Sequence, residues 1–229
     1  MSLFEDIVKA TETEYRQFIE TNPLFEVVTS GGMNRNHYVA YLRETYHMVR
    51  HTPRILSLAG ARLGDEKREI RNWFIKHAVE ENGHDLFCIN DLRNIGEAPD
   101  KVLDTDPLSG AWGLITQNYY MATYGNPLGI LGVTTATEGL GAHIGSRFAE
   151  LLNQHYNIPV NALTFLKSHS GFDGDHLEDA RKVIDELVSA PSDIKAIIQG
   201  RRMTFHHYGR LFLDVMTSMS NVVSPMPVA

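Results

Sequence analysis

Six residues have the types and spacing to hold metal. Residues three or four apart leave one face of a helix. Glu81 and His84 are so spaced in VEENGHDLF (79–87), within the series Ile70, Phe74, His77, Glu81, His84, Cys88, which begins as an apolar stripe. Glu138, in TEGLGAHIG (137–145), is the one charged member of the series Leu131, Thr135, Glu138, Ala142, Gly145, Ala149, Leu152. A carboxylate buried without a partner is costly or takes up a proton, and a metal ion removes that cost. His169, Asp173 and His176, in SHSGFDGDH (168–176), fall at i, i+4 and i+7 on the series from Ala162 and Leu166 to Ala180, Val183 and Leu187. That spacing covers two turns of one stripe.

Each element alone has a plainer reading. Glu-x-x-His recurs by chance, Glu138 alone reads equally as a protonated core acid, and Asp175, Glu178 and Asp179 beside the last triplet suit a solvated face. The coincidence is what points to metal: three carboxylates and three imidazoles on the core-facing seams of three helices. Glu-x-x-His is also the spacing of helical di-iron carboxylate bundles. A mixed oxygen and nitrogen set without Cys suits non-haem iron, with manganese and zinc as rivals. Shared between two ions, the set leaves positions open, as catalytic sites do. The expected cofactors are two ferrous ions, with dioxygen as co-substrate.

The elements that position these residues are helices. Apolar periodicity predicts them over 2–20, 34–63, 66–94, 107–123, 127–156, 160–188 and 193–220, with N-caps at Asn34 and Asp65 and stops at Gly64 and Gly96. Pro53 is expected to kink the second helix, and Gly171 and Gly174 to distort or break the sixth. No alternating β-branched run predicts a strand. The fold class is all-α, one domain over 1–229, a bundle of about seven to eight helices.

Composition excludes other classes. A net charge of −7 gives a nucleic-acid role no electrostatic support. The single Cys88 excludes an internal disulfide and fits a cytoplasmic protein, and the N-terminus lacks a signal peptide's apolar run. Between Asp106 and Arg147 only Glu138 is charged, but Gln117, Asn118, Asn126 and Pro127 interrupt the stretch, which reads as buried core helices and no membrane span. Tyr119, Tyr120 and Tyr124 read as core aromatics. At least one of His206 and His207 is expected at the surface, and His47, His51 and Arg54 are weak candidates for a pocket.

The three quoted segments resemble the heme-oxygenase-like di-iron oxidases and oxygenases, which share a fold with the TenA and PqqC proteins; the CADD-type members are the most similar. The resemblance spans most of the chain. It implies a Glu and a His from one helix, a Glu from a later helix and His-x3-Asp-x2-His from the next, places held here by Glu81, His84, Glu138, His169, Asp173 and His176. In CADD-type members the first Glu precedes its His by two turns. His77 stands at that place here, so Glu81 is the chosen acid and Glu80 the alternative. Some members add a carboxylate from the preceding helix, for which Glu44 is the candidate. The resemblance further implies a homodimer and oxidation of a small metabolite, and the charge of two ferrous ions against the three carboxylates Glu81, Glu138 and Asp173 leads one to expect an anionic substrate, bearing a carboxylate or amine. Its rivals are a thiamine-fragment hydrolase with Cys88 as nucleophile, a cofactorless oxidase that has no need of Glu138, and a non-catalytic partner-binding protein.

Overall fold

The long helices that the periodicity predicts are present, but residues that end a helix locally divide several of them. The structure, a computed structural model, describes residues 2–217, and of residues 170–173 the backbone only. Among the described residues there is no strand, and there are thirteen α-helical segments. They are α1 (Leu3–Ala10), α2 (Glu12–Thr21), α3 (Pro23–Ser30), α4 (Arg35–Val49), α5 (Thr52–Ala61), α6 (Arg68–Glu80), α7 (Asp85–Asn94), α8 (Pro99–Leu103), α9 (Ser109–Thr123), α10 (Gly129–Leu140), α11 (Ser146–Tyr156), α12 (Thr164–Leu187) and α13 (Pro191–Thr217).

The number exceeds the expected seven to eight for identifiable reasons. At the α1–α2 break the Thr11 hydroxyl donates to the carbonyls of Ile7 and Val8. Pro53 lacks an amide hydrogen, so α4 stops at Val49 and α5 starts afresh at Thr52. Gly83, at φ +95°, separates α6 from α7. The short helices α3 and α8 each open on a proline, where its fixed φ suits a first turn.

Asn34 caps α4 reciprocally: its side chain accepts from the His37 amide at 3.1 Å, and its own amide donates to His37 Nδ1 at 3.1 Å. The expected cap at Asp65 is not formed; Asp65 opens a 3-10 turn, and α6 begins at Arg68. Gly96, at φ +78°, ends α7 as expected, whereas Gly64 is not left-handed and α5 already stops at Ala61. The break expected at Gly171 and Gly174 is absent, and α12 runs unbroken. The distortion lies instead in a π-helical turn, Gly141–Gly145, which follows Glu138 and joins α10 to α11.

Two apolar clusters form the core, and the ligand-bearing helices pass from one to the other. Phe74 and Ala78 belong to one, Cys88 and Leu92 to the other, with Glu81 and His84 between them. Val133 and Leu140 flank Glu138 in the same way, and Leu166 and Val183 flank the stretch from His169 to His176. The candidate ligands therefore occupy a polar seam inside the bundle.

The frame depends on close approach of α10 to α13. A Cβ at Gly132 would overlap the Ile197 carbonyl oxygen, and one at Gly200 the Gly129 carbonyl oxygen. Backbone atoms cannot step aside as a side chain can. Gly132→Ala is therefore expected to cost about 3 kcal/mol of stability in denaturant unfolding, at the upper end of the overpacking range. A loss below about 0.5 kcal/mol, the ordinary scatter of neutral substitutions, would show that the two helices can part freely.

Candidate metal centre

Burial confines the polar seam. Glu81 and Glu138 lie within the core although each is a carboxylate. Glu81 caps the C-terminus of α6 and His84 the N-terminus of α7, so the turn at Gly83 interrupts the helix between them. The two side chains meet nevertheless, with His84 Nδ1 3.0 Å from Glu81 Oε2. His169 stacks edge-on to His84 at 4.8 Å between ring centres. Across Glu81, His176 Nδ1 stands 3.8 Å from Glu81 Oε1 and 3.7 Å from Glu138 Oε1.

Donor atoms gather in two groups that share one carboxylate. His77, Glu81, Glu138 and His176 form the first, and Glu81, His84 and His169 the second; within each, one donor atom per residue lies within 4.8 Å of the others. Five of the six sequence candidates are thus brought together. The side chain of the sixth, Asp173, lies outside the described residues. His77 is the residue that the sequence reading left out of the ligand set. Its Nε2 is 3.0 Å from Glu138 Oε1, and its ring lies flat on Trp73 at 4.8 Å. The signal was available, because His77 stands on the same three-and-four series as Glu81, and an imidazole ligates the same metals as a carboxylate does.

The alternatives separate clearly. Glu80 stands at the margin, half exposed, with Oε2 3.7 Å from both His77 Nδ1 and His176 Nε2 and Oε1 3.3 Å from Lys76 Nζ. Glu44 is fully buried but engaged elsewhere: it accepts from Arg43 Nε and from the Leu108 amide, each at 2.8 Å, and so is corrected as a ligand. His47 and His51 bond to Thr105 and Tyr119. His206 is exposed, as expected of one of that pair. Tyr120 and Tyr124 are exposed, contrary to the core placement expected of them, because α9 turns that face outward.

Electrostatics bears on the chemistry that the residues can support. Burial pushes the Glu138 carboxyl well above its ordinary range, and the negative fields of Glu81, Glu80 and Asp179 add to this. Burial also works against the charge of Glu81, but the His84 hydrogen bond and the fields of His84, His77 and His169 outweigh it and hold Glu81 ionised. Burial lowers His77, His169 and His176 towards the neutral form that a metal requires. His84 is raised: burial opposes this, but the bond to Glu81 prevails.

The donor set fits a metal. Glu138 Oε2 and His176 Nδ1 are buried with no hydrogen-bond partner among the described residues, an arrangement costly without an ion. His169 Nδ1 lies 2.9 Å from the Phe165 carbonyl, which assigns the ring's proton to Nδ1 and leaves Nε2 with a lone pair for ligation.

A cavity of about 160 Å³ adjoins the seam, and His77, Glu81, Glu138 and His169 line it. Its remaining wall is chiefly aliphatic and aromatic, and among the described residues lining it there is no Lys or Arg. Cys88 is fully buried, does not line this cavity, and has its thiol pushed up by burial. Cys88→Ser is therefore expected to retain turnover within about twofold at some cost in stability. Complete loss of turnover in a folded variant would restore the thiol as nucleophile.

The family model described as iron-containing redox enzyme matches residues 39–209. No curated protein matches the chain. Among solved structures, the chain is similar to a domain of unknown function with a heme oxygenase-like fold from Shewanella denitrificans OS217, at 22% identity and TM-score 0.89, covering 98% of this chain and 96% of that one. It is also similar to a TenA homologue from P. horikoshii OT3, at 14% identity and TM-score 0.72, covering 94% and 98%. A third is heme oxygenase-1 of the cyanobacterium Synechocystis sp. PCC6803, solved in complex with heme, at 10% identity and TM-score 0.71, covering 96% of each. The fold is therefore heme-oxygenase-like. No helix among the described residues is long and apolar enough to cross a membrane.

Proposed function

The chain belongs to the family of iron-containing redox enzymes, and from that membership we propose that it is a non-haem di-iron oxidase or oxygenase acting on a small, largely apolar substrate with an anionic head. One observation carries the reading: two donor groups have Glu81 in common, so the chain offers ligands for two neighbouring ions. His77, Glu138 and His176 would complete one ion's set and His84 and His169 the other's, with Asp173 as a further ligand from its place in the sequence motif. Bound there, a pair of ferrous ions supplies electrons for the reduction of dioxygen.

The chain's own residues set the conditions. Phe165 orients His169 through its carbonyl, and Trp73 holds the His77 ring by stacking. The apolar wall excludes water from the reacting group and strengthens every charge interaction inside. With neutral imidazoles, the carboxylates of Glu81, Glu138 and Asp173 leave about one positive charge uncompensated on two ferrous ions. No Lys or Arg among the described lining residues competes for an anion, so a substrate carboxylate would find its counter-charge at the metals, with its apolar body along the cavity.

The test is reconstitution. Metal-free protein should take up about two equivalents of ferrous iron per chain anaerobically, and exposure to oxygen should give a transient visible absorption band. Uptake of one equivalent or none would end the di-iron reading. Full oxygen consumption by the metal-free protein would favour the cofactorless oxidase.

A further inference from the structure

Beyond the metal seam, the hydroxyls of Tyr41, Thr52, Thr134, Thr137 and Tyr208 and the amide of Asn118 interrupt a chiefly apolar cavity wall. Asn118 on α9 and Thr134 on α10 line it, and each is more than nine-tenths buried. Thr134 precedes Glu138 by about one helical turn and lies on the same face, about 6 Å along the axis. The nearby Thr137 hydroxyl is satisfied by the carbonyls of Val133 and Thr134. The Thr134 hydroxyl has no such partner among the described residues.

The orientation of Asn118 follows from a chain of hydrogen bonds. The Thr204 hydroxyl donates to the Gly200 carbonyl at 2.7 Å and so must accept from its other neighbour, Gln117 Nε2, at 3.3 Å. The second hydrogen of that Gln117 amide goes to Asn118 Oδ1 at 3.1 Å. Asn118 Oδ1 is thereby used, and Nδ2 is left as a donor with no partner among the described residues. A donor and a hydroxyl that face the cavity without a protein partner can be matched by a polar atom of a ligand that fills it.

We propose that Asn118 and Thr134 form a neutral hydrogen-bonding subsite that reads an uncharged oxygen, a carbonyl or hydroxyl, on the body of an otherwise apolar substrate. Asn118 Nδ2 donates to that oxygen, and the Thr134 hydroxyl donates to it or accepts from it. An anion is disfavoured there, because the described lining residues include no Lys or Arg and Glu138 stands one turn from Thr134. The inference rests on the cavity being the substrate site of the proposed oxidase, and it adds that specificity is read about one helical turn from Glu138.

Binding to the intact metal-free protein tests this without turnover. The probes are a medium-chain methyl ketone, its isomers with the carbonyl moved along the chain, and the alkane of the same length, each measured by displacement of a fluorescent apolar dye. Wild type should bind one ketone isomer roughly tenfold tighter than the alkane, as one net hydrogen bond allows. Asn118→Leu and the near-isosteric Thr134→Val should each reduce that preference several-fold while still binding the alkane, which also shows that the variants are folded. Equal binding of ketones and alkane by wild type, or a preference unchanged in both variants, overturns the subsite alone. If no probe binds wild type, the cavity is not the substrate site, and the subsite and the proposed substrate class fall together.

Discussion

Glu81→Ala is expected to leave the protein unable to retain either of two metal ions, whereas His84→Ala should lose only one. Glu81 belongs to both donor groups; His84 and His169 belong to one, and His77, Glu138 and His176 to the other. Removing a shared carboxylate would subtract a ligand and a negative charge from both ions at once, and beyond the two donor groups the described lining residues add no His, Cys or carboxylate. Mutating residues that merely support a ligand already costs roughly 10–100-fold in metal affinity, so loss of the bridge should weaken each ion by more than about a hundredfold. The His84 hydrogen bond to Glu81 also disappears, and with it the influence that raises that imidazole, so His84 becomes easier to deprotonate while only His169 of its donor group remains beside it. Elemental analysis after anaerobic loading and desalting reads the result directly. Two equivalents of iron retained by Glu81→Ala would exclude Glu81 as a bridge, and loss of both by His84→Ala would show that the ions bind as a single cooperative unit.

Glu138→Gln should separate the stability of the protein from its metal binding. In the metal-free protein the buried Glu138 carboxyl is pushed above its ordinary value, chiefly by burial. The sign follows from linkage: a group whose folded pKa is raised contributes stability that is fully present below its unfolded pKa and is lost as pH rises through the folded one. Metal-free wild type should therefore lose stability as pH rises from the ordinary carboxylate range towards neutrality. Glu138→Gln keeps the shape and an acceptor for His77 Nε2, 3.0 Å away, but cannot ionise, so this dependence should flatten. At neutral pH the metal-free variant should be more stable by about 1–2 kcal/mol, or roughly 2–8 °C in melting temperature for a chain of this size. Ferrous iron should then raise the melting temperature of wild type more than that of the variant, which keeps the donor group of Glu81, His84 and His169, so their difference should narrow or reverse. A variant that melts lower without metal, with the wild-type pH dependence intact, would show that Glu138 is held ionised by other groups.

Much of the centre was legible because helical periodicity is local. Glu138 was conspicuous as one acid amid small and apolar neighbours, and the structure buries it. Glu81 and His84 were read from a spacing that assumed one continuous helix. Gly83 breaks that helix, yet the side chains converge, because the turn brings the start of α7 back towards the end of α6. Glu44 misled because a buried acid in the preceding helix looks like a ligand until its partners are known. Arg43 is adjacent in sequence, but the Leu108 amide comes from a distant segment, and no periodicity announces it. Tyr120 and Tyr124 were assigned to the core on residue type, which does not say which side of α9 faces its neighbours.

The sequence by itself determined which helices carry the candidate ligands and in what register, since a side chain's direction along a helix depends only on spacing. Only the tertiary structure decided which donor atoms meet, that Glu81 is common to two groups and that His77 joins one of them. Only the tertiary structure, likewise, turned Asn118 and Thr134 towards one cavity. The physical reason is that these relations depend on how closely helices approach and how they are rotated about their axes. In this bundle the approach of α10 to α13 is set by contacts such as Gly132 against the Ile197 carbonyl, between residues far apart in the chain.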